Sequence, residues 1–205
     1  MRLATTAIDT PLGRYAIAAS DAGLVSAKPA CGAPVPPAPA LAGSAAERML
    51  DRARAAFASY FAGSAAELDA LPLDLHGSEF QREVWRALRE IPLGTTASYG
   101  EIARRVGRPG AARAVGDANR RNPVGIAIPC HRVIGGDGRL VGYAGGLDRK
   151  RWLLDHEARM GRNGGMRSLA LNFPPYAASS KSNGPKVARL EAAPARSRAS
   201  AATSI

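Results

Sequence analysis

Four residues, Gly107-Arg108-Pro109-Gly110, constrain this chain more than any other stretch. Proline locks its own φ and has no N–H, and the glycines favour left-handed turns, so no helix runs through them. The spacing predicts a short helix on each side. Ser98 and Glu101 stand in capping-box spacing at the start of a helix over 99–106, with Ile102, Ala103 and Val106 facing inward. A second helix runs from 111 to about 120. Two short helices joined by a tight glycine-containing turn form a helix-turn-helix.

The second helix reads face by face. Ala111, Ala114, Val115 and Ala118 make an inner stripe, whereas Ala112, Gly116 and Asn119 lie opposite, with Arg113 beside them and Arg120 and Arg121 following. A glycine inside a helix costs about 0.5–1 kcal/mol relative to alanine. Gly116 on the outer face is therefore either a tolerated surface glycine or a place where a partner approaches the backbone. Small residues flanked by arginines suit a helix laid against a nucleic acid groove, its cations meeting phosphates.

Asn122-Pro123 ends that helix, and the chain enters Ile126-Ala127-Ile128-Pro129-Cys130-His131-Arg132-Val133. A short, strand-like apolar run here delivers proline, thiol, imidazole and guanidinium in succession. Pro129 holds the entry to Cys130 stiffly. A thiol beside His and Arg sits where a thiolate is favoured, and the thiolate is the nucleophile. The alternative is a buried structural cysteine followed by two surface residues. In an extended segment adjacent side chains face opposite ways, so contact between His131 and Cys130 requires a bend or a bridging water.

After a turn at 135–138, the loop Gly142-Tyr143-Ala144-Gly145-Gly146 lets backbone N–H groups approach a ligand. A last helix spans 148–160 and is expected to close at Gly161. On it Lys150, Leu153 or Leu154, and Glu157 share one face. A cation and a carboxylate flanking inward apolar residues fit a reactive site, or else a solvated rim.

The first third reads as scaffold. Residues 3–27 form a small β-meander, and five prolines between 28 and 43 predict a loop. Ser44 and Glu47 open a helix with Leu50, Ala53, Phe57 and Phe61 on one face, ended by Gly63. Residues 71–75 are extended, and Ser78 with Gln81 caps a further helix carrying Phe80, Val84, Leu88 and Ile91. The expected architecture is an α/β N-terminal domain over 1–76, in which a small meander sheet is joined by a helix. A mostly helical domain with the helix-turn-helix follows over 77–163. Residues 164–205, rich in Ala, Ser, Pro, Lys and Arg without periodicity, are expected to be a disordered basic tail.

The net charge of +11 points to a polyanionic partner, although six cations against Glu191 place +5 of it beyond residue 163. No apolar run is long enough to span a bilayer and the first residues lack signal-peptide features, so a cytoplasmic protein with no membrane partner is expected. There Cys31 and Cys130 stay reduced. Three scattered histidines and no zinc-like spacing predict no metal.

Together, Ile128 to Val133, Arg113-Ala114-Val115, Asn122-Pro123, Gly142 to Leu147, and Lys150, Trp152-Leu153-Leu154 and His156-Glu157 resemble the O6-alkylguanine-DNA alkyltransferases. The likeness is to the bacterial single-polypeptide, methylated-DNA–protein-cysteine methyltransferase type. It is strong from about Phe80 to Met160, weak over the first 75 residues and absent from the tail.

The resemblance implies direct DNA repair, in which the protein flips O6-alkylguanine, and O4-alkylthymine as well, out of duplex DNA. The alkyl group then passes irreversibly to Cys130, one turnover per molecule. It implies a monomer without cofactor or obligate protein partner, whose helix-turn-helix enters the minor groove. Arg113 would replace the flipped base in the stack, and Ala112, Gly116, Asn119 and Arg120 would line the DNA. Tyr99 would crowd the 3′ phosphate, Asn122 would hinge the recognition helix to the turn, and His131 with Glu157 would form the proton relay. Lys150 and Tyr99 would assist the leaving purine. Pro129, Val133, Tyr143, Ala144 and Gly145 would shape the pocket. Two positions depart from the family: Ala144 replaces a serine found in some relatives, and Asn119 replaces a methionine and makes the groove-facing helix more polar.

Two rival readings are a non-catalytic helix-turn-helix DNA-binding protein or lesion sensor, and a Cys-His hydrolase. Such sensors lack the acceptor cysteine, and such hydrolases bring Cys and His together from distant parts of the chain.

Overall fold

The computed structural model describes residues 3–30 and 43–163. The tail beyond 163, Cys31 and most of the proline-rich stretch lie outside them. Strands β1 (Ala4–Thr10), β2 (Gly13–Ala19) and β3 (Leu24–Pro29) form an antiparallel meander in that order. Alternation along β2 buries Tyr15, Ile17 and Ala19 on one face. Strand β3 continues through Lys28 and Pro29, which the prolines had assigned to the loop. Pro29 is tolerated because it is the strand's last residue.

Helix α1 (Ala45–Ala62) packs on this sheet. Ser44 caps it by accepting from Glu47 N at 3.2 Å, and Gly63 ends it in the left-handed region at φ 111°. Its buried stripe includes Leu50, Ala53, Phe57 and Tyr60; Phe61, expected inside, is half-buried. A single helical turn, α2 (Ala66–Asp69), leads to an extended segment in which Leu73 pairs in parallel with Leu24. Leu24 N donates to Pro72 O at 2.9 Å and Asp74 N to Leu24 O at 3.0 Å. Gly23 is needed for this approach, since a Cβ there would lie 2.7 Å from Pro72 O.

The C-terminal part comprises α3 (Glu79–Arg89), β4 (Ala97–Ser98), α4 (Tyr99–Arg105), α5 (Ala112–Arg120), a 3-10 turn (Cys130–Arg132), β5 (Val133–Ile134) and α6 (Leu147–Asn163). Both capping boxes, Ser78 with Gln81 and Ser98 with Glu101, are fully formed. Trp85 Nε1 donates to Ala118 O at 2.9 Å and pins α3 to α5. Helix α6 passes through Gly161 instead of ending there; one glycine costs only about 1 kcal/mol in a helix. Among the described residues no helix is long and apolar enough to cross a membrane.

The two parts meet at the edge of β3. Ala27 N donates to Pro123 O at 3.0 Å, and Gly125 N to Ala27 O at 2.9 Å. The segment that carries the chain from α5 to Cys130 is therefore docked on the N-terminal sheet.

Candidate active site

Asn122 shapes the approach to the thiol. Its Nδ2 donates to Ile128 O at 2.8 Å, and its Oδ1 accepts from Val124 N at 2.9 Å, closing a tight loop. Within that loop Ile126 takes φ 72°, a strained conformation for a β-branched residue. Cys130 N then donates to Ile128 O at 2.7 Å and Arg132 N to Pro129 O at 2.9 Å. The expected extended geometry is thus replaced at Cys130 by a 3-10 turn, in which successive side chains fan about 120° apart instead of alternating.

That fan sends His131 and Arg132 into the interior, where both meet Glu157 of α6. His131 Nε2 lies 2.8 Å from Glu157 Oε1. Arg132 donates from Nε to Oε2 at 2.8 Å and from Nη2 to Oε1 at 3.0 Å, and its Nη1 donates to Ile91 O at 2.6 Å. Tyr60 Oη, from α1, donates to Oε1 at 2.8 Å. Burial pushes the Glu157 carboxyl up, but His131 and Arg132 outweigh it and hold the carboxyl well below the usual carboxylate range. Burial lowers the His131 pKa more than Glu157 raises it, so the imidazole is neutral. Facing a carboxylate, Nε2 carries the proton and Nδ1 is the acceptor. Nδ1 is buried without a hydrogen-bond partner in the protein, positioned to receive a proton.

Sequence reasoning missed Arg132 and Tyr60. Arg132 was visible in the Cys-His-Arg run, but an extended segment gave it no inward target. Tyr60 carried no signal, because its partner lies in the other part of the chain.

Cys130 itself is buried, with 8% of the residue exposed. Burial pushes its pKa up, while a hydrogen bond with Asn122 and the charge of Lys150 pull it back only in part. This corrects the expectation that neighbouring His and Arg favour a resting thiolate: Arg132 is spent on Glu157. Lys150 is fully buried, and its Nζ donates to Val133 O at 2.6 Å and Val141 O at 2.7 Å. It thereby ties α6 to the residues after the thiol and to the glycine loop. Burial lowers its pKa to about 8, against an opposing pull from Cys130. Tyr143 feels the same site: burial, then Cys130 and Tyr15, push its phenol well up. A Cβ on Gly145 would lie 2.8 Å from Tyr143 Cε1, so glycine lets the loop fold against that ring.

On the helix-turn-helix, Arg113 and Arg120 are exposed, and Ala112 and Gly116 are half-buried. A Cβ on Gly116 would sit 3.8 Å from the Tyr99 ring. Two placements are corrected. Ala114, expected inside, is exposed, and Asn119, expected on the groove side, is buried at 6% exposure. Asn119 continues the stripe of Val115 and Ala118, one helical turn beyond Val115. Its Nδ2 donates to Cys130 O at 3.4 Å, and its Oδ1 has no partner. Burial and then Cys130 push the Tyr99 phenol up, and a hydrogen bond with Asn119 offsets part of this.

The turn therefore gathers Cys130, His131, Glu157, Asn122, Lys150, Tyr99 and Tyr143, with Pro129 and Val133 buried beside them. Arg113, Arg120 and Ala144 stay on the surface. Among the described residues no three His, Cys, Asp or Glu side chains are grouped to hold a metal ion. The arrangement presents a buried thiol, a neutral imidazole with a free acceptor nitrogen, and a carboxylate fixing that imidazole's tautomer. Such a set is built to activate a nucleophile.

Comparison with known proteins yields the same family for both parts. Residues 3–75 match the 6-O-methylguanine DNA methyltransferase ribonuclease-like domain, and residues 79–159 match the DNA binding domain of the same family. A methylated-DNA–protein-cysteine methyltransferase from Mycolicibacterium paratuberculosis is 64% identical over 101 residues, 49% of this chain and 61% of that relative. The match thus spans less than two thirds of that relative's length. A solved O6-methylguanine methyltransferase from Mycobacterium tuberculosis superimposes with TM-score 0.65 at 40% identity, covering 78% of this chain and 94% of the other. A structure of Mycobacterium tuberculosis OGT in complex with DNA gives TM-score 0.62 at 43% identity, covering 75% of this chain and 92% of the other. The chain belongs to the 6-O-methylguanine DNA methyltransferase family.

Proposed function

We propose that this protein repairs O6-alkylguanine in duplex DNA by moving the alkyl group onto Cys130. The observation that carries the reading is the Cys130–His131–Glu157 arrangement, built on a 3-10 turn directly after a helix-turn-helix. The relatives named for methyl transfer from DNA to a protein cysteine, and the related structure solved with DNA, support it.

The alkyl carbon on O6 of a stacked guanine offers no in-line path to a thiolate, so the base must leave the helix. Helix α5 enters the minor groove, and Arg113, exposed on it, fills the gap with a planar cation suited to stacking. Ala112, Gly116 and Arg120 line the DNA, and Tyr99 stands between the groove and the thiol, crowding the phosphate. The Cys130 proton passes through one bridging water to His131 Nδ1, and Glu157 stabilises the resulting imidazolium. The S–C bond forms as the C–O6 bond breaks, and the purine takes a proton from the Tyr99 hydroxyl. Lys150 acts by position, since both of its observed hydrogen bonds hold backbone carbonyls around the pocket. The N-terminal part to residue 76 serves as scaffold for the rest. A thioether is a poor leaving group, so each molecule works once, without a cofactor. O4-alkylthymine is accepted by the same chemistry. The protein acts as a cytoplasmic monomer, with no membrane or obligate protein partner. A sensor that binds lesions without transfer would have no use for this thiol.

The test is a duplex carrying O6-methylguanine inside a restriction site that the lesion blocks. Incubation with the protein should restore cleavage, and Cys130→Ala should not. Cleavage that stays blocked with wild-type protein that binds the duplex would overturn the reading.

A further inference from the structure

We propose that Tyr60, on α1 of the N-terminal part, is a positioning residue that sets how strongly Glu157 draws a proton onto His131. The proposal rests on the alkyl-transfer reading for its purpose, but on geometry for its content. Tyr60 and Glu157 lie 97 positions apart in the chain, and the hydroxyl of the first donates to Oε1 of the second at 2.8 Å. That same oxygen faces His131 Nε2 at 2.8 Å. Tyr60 and His131 therefore compete for the lone pairs of one oxygen in a site where neither residue nor Glu157 is exposed to solvent.

The surroundings make the competition count. Arg132 engages both carboxylate oxygens. Asp69 on α2 stands near enough to Arg132 and Glu157 to feel both charges. Lys150 and Arg132 oppose protonation of His131, while Glu157 favours it. Tyr143 is a further titratable group facing this cluster, and His156 lies against the Tyr60 ring. Against that fixed background the Tyr60 hydroxyl is a neutral donor that withdraws charge from Oε1. The ring is held independently of the hydroxyl: it meets Phe61 edge-on at 5.3 Å and His156 at 5.4 Å, and Tyr60 O lies 2.9 Å from His156 Nε2. Removing the oxygen leaves this packing in place and frees Oε1 for His131. The imidazolium formed on thiol deprotonation becomes more stable, and the thiolate forms at lower pH.

The experiment follows Cys130 alkylation by iodoacetamide, which requires no DNA, as a function of pH in the full chain. Tyr60→Phe should move the rate profile to lower pH by about half a unit, about a threefold faster reaction at a given pH below the plateau. Fluorination of the Tyr60 ring, which makes the hydroxyl a stronger donor, should move the profile the other way. The titration of His131, followed by 15N NMR, should shift upward in Tyr60→Phe. An unmoved profile and an unmoved His131 titration overturn the proposal, whether or not the melting temperature falls. So does a shift of the same sign in both variants. A wild-type protein that alkylates with iodoacetamide but takes no methyl from DNA sinks the repair reading and leaves this test intact.

Discussion

Lys150 Nζ lies 2.6 Å from the carbonyl oxygen of Val133, so a lysine withdrawn from solvent ties α6 to the residue just beyond the thiol-bearing turn. With its pKa lowered to about 8 against 10.5, Lys150 is less protonated in the folded chain than in the unfolded one between those values. Its contribution to stability therefore rises as pH increases through that window and is absent below it. The raised phenols of Tyr60, Tyr143 and Tyr15 act in the opposite direction at higher pH. Urea unfolding of wild type and Lys150→Met from pH 7 to 10 should show stability rising with pH relative to the variant. Parallel curves would contradict the buried, proton-losing lysine.

Glu157 accepts from three side chains and has no solvent to replace them. Glu157→Gln leaves Arg132 buried opposite a neutral amide and should destabilise the fold by about 3–5 kcal/mol. Because the carboxyl is held well below its ordinary value of 4.5, the wild type gains its stability above that pH and loses it as pH falls below. The variant should lack that acid-dependent component, as chemical denaturation at pH 3 and pH 7 would reveal. It should also slow alkylation of Cys130 by about 10-fold or more, since His131 loses the carboxylate that fixes its tautomer and stabilises its imidazolium.

The thiol should not be ionised at rest. With burial pushing Cys130 up from 9.0, iodoacetamide alkylation of the free protein should still be rising with pH above 9. A plateau reached below pH 8 would show a preformed thiolate and contradict the buried, neutral thiol.

Arg113 is exposed on α5 and is assigned to the base stack alone. Arg113→Ala should slow repair of a duplex far more than reaction with free O6-benzylguanine, which needs no flipping. Equal losses on both substrates would remove the stack-filling role.

What was legible in the sequence was local. Ser78 with Gln81 and Ser98 with Glu101 announce helix starts because the capping partners are three residues apart, and both boxes form as spaced. The meander over 3–27, the Gly107–Gly110 breaker and the Lys150–Glu157 face are likewise short-range patterns. The turn at Cys130 was not legible, because an apolar run ending in proline reads as strand until Pro129 O is seen to accept from Arg132 N. Helical spacing groups Asn119 with Ala112 and Gly116, yet it also lies one turn past Val115, and Cys130 O supplies the inward partner that decides its side. Tyr60 reaches Glu157 only through the packing of α1 near α6, which no local pattern encodes.

As a stoichiometric acceptor, Cys130 should carry a lasting record of each transfer. Intact-protein mass after incubation with excess O6-methylguanine duplex, followed by peptide mapping, tests it most directly. A gain of a single methyl group located on Cys130 is expected, with no further gain over time and none in Cys130→Ala. A protein that binds the duplex without changing mass, or that gains its methyl at another residue, would contradict it.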